Sequence, residues 1–251
     1  MTMKLSFDGD WCATVTDDPL RVTPRFTGDS VDVAQYVDVK ERERFVAHSF
    51  GSQHWLWDAP DVLRFDPDSR QLAGVEFRLP EESVSAEDAA RLSLTPAVRP
   101  GGLRAEEIRD FRHEMGKVLC RAPDDSVLSC LRDLDVLDAP LEARIGIAPD
   151  VALLVQDGSA VGWSLTDPVR YVTSGFAAPD PNPPSPSTRH LFTECLDLVT
   201  TPVVEDLADG EPTALARLRA ADEVLRAQPE DRHRADALLE MIATFMEDYG
   251  R

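Results

Sequence analysis

Residues 148–168 read APDVALLVQDGSAVGWSLTDP, two apolar, β-rich arms that meet at Asp157-Gly158. An Asp-Gly pair between such arms is the strongest short-range signal for a two-residue hairpin, because both turn positions require φ > 0. This stretch commits the chain to antiparallel sheet. Residues 59–80, APDVLRFDPDSRQLAGVEFRLP, share its opening APDV, an apolar run, a turn (here Asp66-Pro67-Asp68-Ser69), a glycine and a closing proline. Two hairpins of one design read as a duplicated sheet element or as two halves of one sheet, with chance similarity as the alternative.

Earlier segments fit the same pattern. LSFDGDWCATV and LRVTPRFTG read as short strands broken at Asp8-Gly9-Asp10 and Asp17-Asp18-Pro19. Residues 31–50 admit two readings: Asp29 or Ser30 would cap a helix, whereas Val31, Val33, Val37 and Val39 favour strand.

Helical periodicity dominates elsewhere. Residues 104–120, RAEEIRDFRHEMGKVLC, place Ile108, Phe111, Met115, Val118 and Leu119 on one stripe with Glu106 and Glu107 in the first turn, which predicts a helix. His113 falls off that stripe and is expected in solvent. The proline-rich stretch at 178–188, APDPNPPSPST, predicts an extended surface loop. Beyond it, helices are expected over about 191–207, 213–227 and 233–249. Strands first and helices last argue for an α+β fold: an antiparallel sheet built from hairpins, helices packed on it, and a helical C-terminal part over 189–250. The last helix carries Leu238, Leu239, Ile242, Phe245 and Met246 and needs an apolar face to dock on. Residues 1–251 are therefore expected to form one domain.

Charge restricts the partners. Forty-six acidic residues against 26 basic ones give a net charge of −20. Nucleic acids and anionic membranes are bound through Lys and Arg, so this surface repels both. A basic protein would be attracted over about a Debye length, ~8–10 Å at moderate salt. All but three of the basic residues (Lys4, Lys40 and Lys117) are arginine, which together with abundant Ala, Pro and Asp resembles the composition of high-GC bacterial genomes. Residues 1–11 hold no apolar run of signal-peptide length, and no window approaches the roughly 18 apolar residues that span a bilayer. Cys12, Cys120, Cys130 and Cys195 lie far apart without paired spacing, as expected of free thiols in a cytoplasmic protein.

Most chemical motifs fail on inspection. Phosphate-loop, dinucleotide and HExxH patterns are absent from the sequence. Gly158-Ser159-Ala160-Val161-Gly162 places its serine beside the first glycine, and at a hairpin turn, so it is no nucleophile elbow. Asp66-Pro67-Asp68 has Gln71 where a calcium loop needs glycine. His190 and Glu194, four residues apart on a helix, supply two metal ligands without a third. No metal and no cofactor are expected.

The most chemically loaded stretch is residues 45–60, FVAHSFGSQHWLWDAP. If 50–57 is extended, Trp55 and Trp57 share one face and His54 the other, and His48 lies ~20 Å from His54 at ~3.3 Å per residue. That separation precludes joint ligation along a straight strand. Core packing of the tryptophans is the first reading; a ligand groove built from His48, His54, Trp55, Trp57 and Asp58 is the second. The functional expectation is a non-catalytic acidic protein that binds a basic partner, in the manner of bacterial immunity or chaperone-like proteins. The alternative is an enzyme with a His/Trp/Asp pocket near residues 48–61, where Asp58 or Asp61 beside a histidine would perform acid–base work.

Overall fold

Short β-rich runs cut by turn residues fold as short strands. The computed structural model describes residues 3–7, 11–52, 61–113 and 116–249. Its N-terminal part holds β1 (Lys4–Ser6), β2 (Cys12–Thr16), β3 (Arg25–Phe26), β4 (Ser30–Val33), helix α1 (Val39–Ala47), β5 (Phe50–Gly51), β6 (Val62–Phe65) and β7 (Leu72–Arg78). A one-turn helix α2 (Ala86–Ala89) leads to β8 (Arg99–Pro100), β9 (Gly102–Ala105), β10 (Val118–Arg121) and β11 (Val127–Leu131). Then come β12 (Ala143–Ala148), β13 (Val151–Gln156) and β14 (Ser159–Thr166), followed by α3 (Pro186–Leu198), α4 (Val203–Ala208), α5 (Pro212–Ala227) and α6 (Arg232–Tyr249). The class is α+β, as the sequence predicts.

The strands form two sheets. One runs β8-β12-β13-β14-β1-β2-β9, with β11 also on β14 and β10 on β11; the other runs β3-β4-β7-β6-β5. Among the described residues, the strand-to-strand ladders are antiparallel except β1 with β14 and β8 with β12. Both predicted hairpins form, as β6–β7 and β13–β14, but in different sheets and with different turns. Asp157 and Gly158 supply φ of 50° and 71° for the two-residue turn. The first hairpin instead uses a longer loop, in which the Asp66 carboxylate accepts from the N–H groups of Asp68 and Ser69 and Arg70 takes φ 61°. The APDV openings also differ in setting: Asp61 is buried, whereas Asp150 is exposed with φ 58° in the β12–β13 turn.

The core lies between the sheets and continues under the C-terminal helices. Phe77 of β7 stacks on Trp163 of β14 at 5.2 Å between ring centroids, joining one sheet to the other. Trp11 stacks on Phe111 at 3.9 Å beside Phe65. Each fully buried aromatic of this kind contributes up to about 4–6 kcal/mol at ~25 cal/mol per Å². Gly51 permits β5 to approach β6: its φ is +152°, and a Cβ there would sit 1.9 Å from the Leu63 carbonyl oxygen.

Several expectations fail locally. The described residues of 104–120 do not form a helix. β9 and β10 occupy the ends of that stretch, pairing with β2 and β11. A distant ladder with β2 and a hairpin with β11 override a 3.6-residue apolar period, and Ile108 is left 60% exposed. His113 is buried rather than solvated, packed edge-on against Phe7 at 4.9 Å. Residues 31–50 satisfy both readings in turn. β4 carries Val31 and Val33; α1 then starts at Asp38, whose carboxylate accepts from Glu41 N–H. The proline-rich loop ends sooner than expected: Ser185 caps α3 and Pro186 takes its first position, where a missing N–H costs nothing. The helix expected over 191–207 divides into α3 and α4. Among the described residues, no helix is long and apolar enough to cross a membrane.

Candidate functional site

The residues singled out around the two tryptophans do not assemble into a described site. His48 is exposed at the C-terminus of α1, its Nδ1 2.7 Å from the Arg44 carbonyl oxygen. His54, Trp55, Trp57 and Asp58 lie outside the described residues. Asp61 is buried and accepts the Arg78 N–H at 2.9 Å, while Ser52 Oγ donates to its carbonyl oxygen at 3.1 Å. These contacts pin the ends of β5 and β6. Glu194 is held by Arg217 at 3.1 Å instead of pairing with His190 on a metal. Among the described residues, no group of three or more His, Cys, Asp or Glu side chains is placed to hold a metal ion.

The buried charges that sequence reasoning missed are structural. Arg25, Asp32 and Tyr36 are each under 10% exposed. Arg25 pairs with Asp32, and Tyr36 Oη donates to Asp32 at 2.8 Å. Burial raises the Asp32 carboxyl above its usual range, against the opposing pull of Arg25 and Tyr36. The adjoining cavity is about 10 Å³, room for one water at most. A second network runs Asp125–Arg121–Asp197–Arg217–Glu194. It ties the β10–β11 turn to α3 and α5.

Two acidic surfaces remain. The first is a shell over the outer face of the nine-stranded sheet, where Val84, Ala89, Leu92, Val136, Leu137 and Leu141 pack on β10, β11, β13 and β14. Residues 81–94 and 132–142, which form this shell, carry Glu81, Glu82, Glu87, Asp88, Asp133, Asp135, Asp138 and Glu142 against Arg91 and Arg132. Arg91 bridges the two segments through Asp88 and Asp138 at 3.2 and 2.6 Å. Leu134 stands in this shell 44% exposed.

The second surface is a groove along α6 made of two adjoining pockets that meet at Glu240. One end, about 700 Å³, lies between α6, the β3–β4 turn at Gly28 and the end of β7; the other, about 940 Å³, lies between α6 and the loop at 172–181. Glu240 lines both. The walls carry Asp29, Glu81, Asp180, Asp236 and Glu240 against Arg78, whose guanidinium is engaged by Asp29 and Glu76. Glu81 belongs to both the groove and the shell, and its carbonyl is fixed by Thr201 N–H at 2.8 Å. Other concavities differ in charge. The cleft of about 1040 Å³ between α2 and α3 balances Arg121 and Arg189 against Asp124 and Asp125, and a smaller one gathers Arg112, Lys117 and Arg132.

α6 turns most of its apolar residues inward and presents its polar side to the groove. Ala235, Leu238 and Ile242 are buried, leaving His233, Asp236, Glu240 and Thr244 along the groove side with Met241, Leu239 and Phe245 at its edges. The sequence signal for this wall was present in the period of the last helix. The opposite wall comes from residues 27–29 and 78–81, which no local pattern connects to it. Fold and surface together define an α+β protein with an acidic shell and an acidic groove; comparison with protein-family models, curated proteins and solved structures finds no match.

Proposed function

We propose that this chain is a non-catalytic binding protein of immunity-like or chaperone-like type, which recognises a basic partner protein through its acidic shell and acts in the cytoplasm. The observation that carries the reading is the gathering of eight carboxylates and two arginines over residues 81–94 and 132–142, which pack side by side and also expose Leu134. Glu82, Glu87 and Asp135 carry no ion-pair partner among the described residues. Unpaired carboxylates on the same surface as an exposed apolar side chain match the anatomy of a charge-steered interface, in which the rim sets association rate and specificity and a buried anchor holds the complex. The same charge disfavours nucleic acid and anionic membranes as partners. The four free thiols support a reducing compartment.

The test is affinity capture from the native host with mass spectrometry, run in parallel with a Glu82→Lys/Glu87→Lys/Asp135→Lys variant. The expected result is a basic protein retained by the wild type and lost by the variant. Retention of the same partners by both proteins would overturn the reading.

A further inference from the structure

We infer that the groove along α6 takes an extended, arginine- or lysine-bearing segment of a protein, with apolar side chains between its cations. This rests on the reading of the chain as a binder of basic partners and assigns the groove a role separate from that of Glu82, Glu87 and Asp135 in the shell.

Charge selects the occupant first. Five carboxylates and one already engaged arginine line the groove, and Glu81 and Glu240 have no ion-pair partner among the described residues. Neither of the neighbouring clefts offers an excess of acid. Apolar surface selects next. Leu239 and Phe245 line the groove only partly buried, so an incoming side chain would remove the rest of their surface from water at ~25 cal/mol per Å².

Length then fixes the conformation. From His233 to Thr244 the groove side of α6 runs roughly 16 Å at ~1.5 Å per residue. An extended chain covers that distance with about five residues at ~3.3 Å each, and alternates its side chains between the two sides. A five-residue helix would span only about half the groove, and the roughly eleven-residue helix needed to fill it is marginal alone in water. The occupant is thus extended, with cations toward Glu81 and Glu240 and apolar side chains toward Leu239 and Phe245.

Isothermal titration calorimetry of the full chain tests this with three capped pentapeptides: alternating arginine and leucine, alternating arginine and serine, and alternating glutamate and leucine. The first is expected to bind, the second about tenfold more weakly, the third not at all. A Glu81→Lys/Glu240→Lys variant, changed only at exposed positions, is expected to lose at least about tenfold for the first peptide. Equal affinity for the variant and wild type, equal affinity for the serine peptide, or no binding would each overturn the inference. If the peptide fails while the shell variant still abolishes capture of a basic partner, the groove assignment falls and the binding reading stands. If the peptide binds through Glu81 and Glu240 while capture ignores the shell, the opposite holds.

Discussion

Arg234 is fully buried in α6, and its replacement gives the sharpest test of how the helical part is fastened. Nη1 donates to Asp231 at 3.1 Å, and Nη2 donates to the carbonyls of Asp180 and Asn182 at 2.9 and 2.7 Å. Asp231 also accepts from Ser185 N–H at 2.6 Å and Thr188 Oγ1 at 2.8 Å. The pair therefore clamps the proline-rich loop and the start of α3 to α6. Breaking one side of a buried ion pair costs about 3–5 kcal/mol, because the other charge stays desolvated. Arg234→Met keeps the volume, and the carbonyls of the surface loop regain water, so about 3 kcal/mol is expected. Asp231→Ala also places alanine at φ 51°, and about 4 kcal/mol is expected. The double variant should fall short of the sum by at least about 1.5 kcal/mol. Urea unfolding followed by tryptophan fluorescence measures all three. Additive losses, or less than about 1 kcal/mol for Arg234→Met, would refute the clamp. The carboxyl of Asp231 is held below its usual range: burial opposes this, but the Ser185 and Thr188 hydrogen bonds and Arg234 outweigh it. Its contribution is complete above the unfolded value of ~3.9 and is lost as pH falls through the lower folded value. The gap between wild type and Asp231→Asn should accordingly close in acid.

Three further outcomes are expected. Gly51→Ala should cost about 3 kcal/mol or more, from the clash with the Leu63 carbonyl, while Gly158→Ala, with φ 71° and open space, should cost only about 1 kcal/mol; equal costs by chemical denaturation would contradict the geometry. Burial pushes the Cys120 thiol to about 11 and that of Cys195 to about 12, and Cys130 also well up, so native protein at pH 8 should react with a thiol reagent at Cys12 alone and at all four cysteines in denaturant. Limited proteolysis within residues 178–185 should leave the C-terminal fragment bound, since its helices share the core with both sheets; release of a folded fragment would show two domains.

The sequence exposed those features whose cause is local. The Asp157-Gly158 hairpin needs only its own two residues in left-handed conformations, and the last helix declares itself through Leu238 and Ile242. Residues 104–120 misled because their apolar spacing suits a helix, while β9 pairs with β2 about 90 residues away and β10 turns back into a hairpin with β11 that lies just beyond the stretch. The Arg25–Asp32–Tyr36 cluster was invisible for a related reason: alternation on β4 marks Asp32 as outward-facing, but Arg25 and Tyr36 close over it and are themselves packed on Phe176, about 140 residues on. The shell's charge could be counted from sequence, but its coherence could not. It depends on Val84, Ala89 and Leu92 packing beside Val136, Leu137 and Leu141 over one sheet face.

The association rate of this protein with its captured partner, measured by stopped flow from about 20 to 500 mM salt, tests the central claim most directly. A charge-steered interface predicts a rate that falls by at least about tenfold across that range, and a Glu82→Lys/Glu87→Lys/Asp135→Lys variant that starts slow and changes little. A rate independent of salt, or a variant indistinguishable from wild type, would contradict the assignment of the acidic shell as the recognition surface.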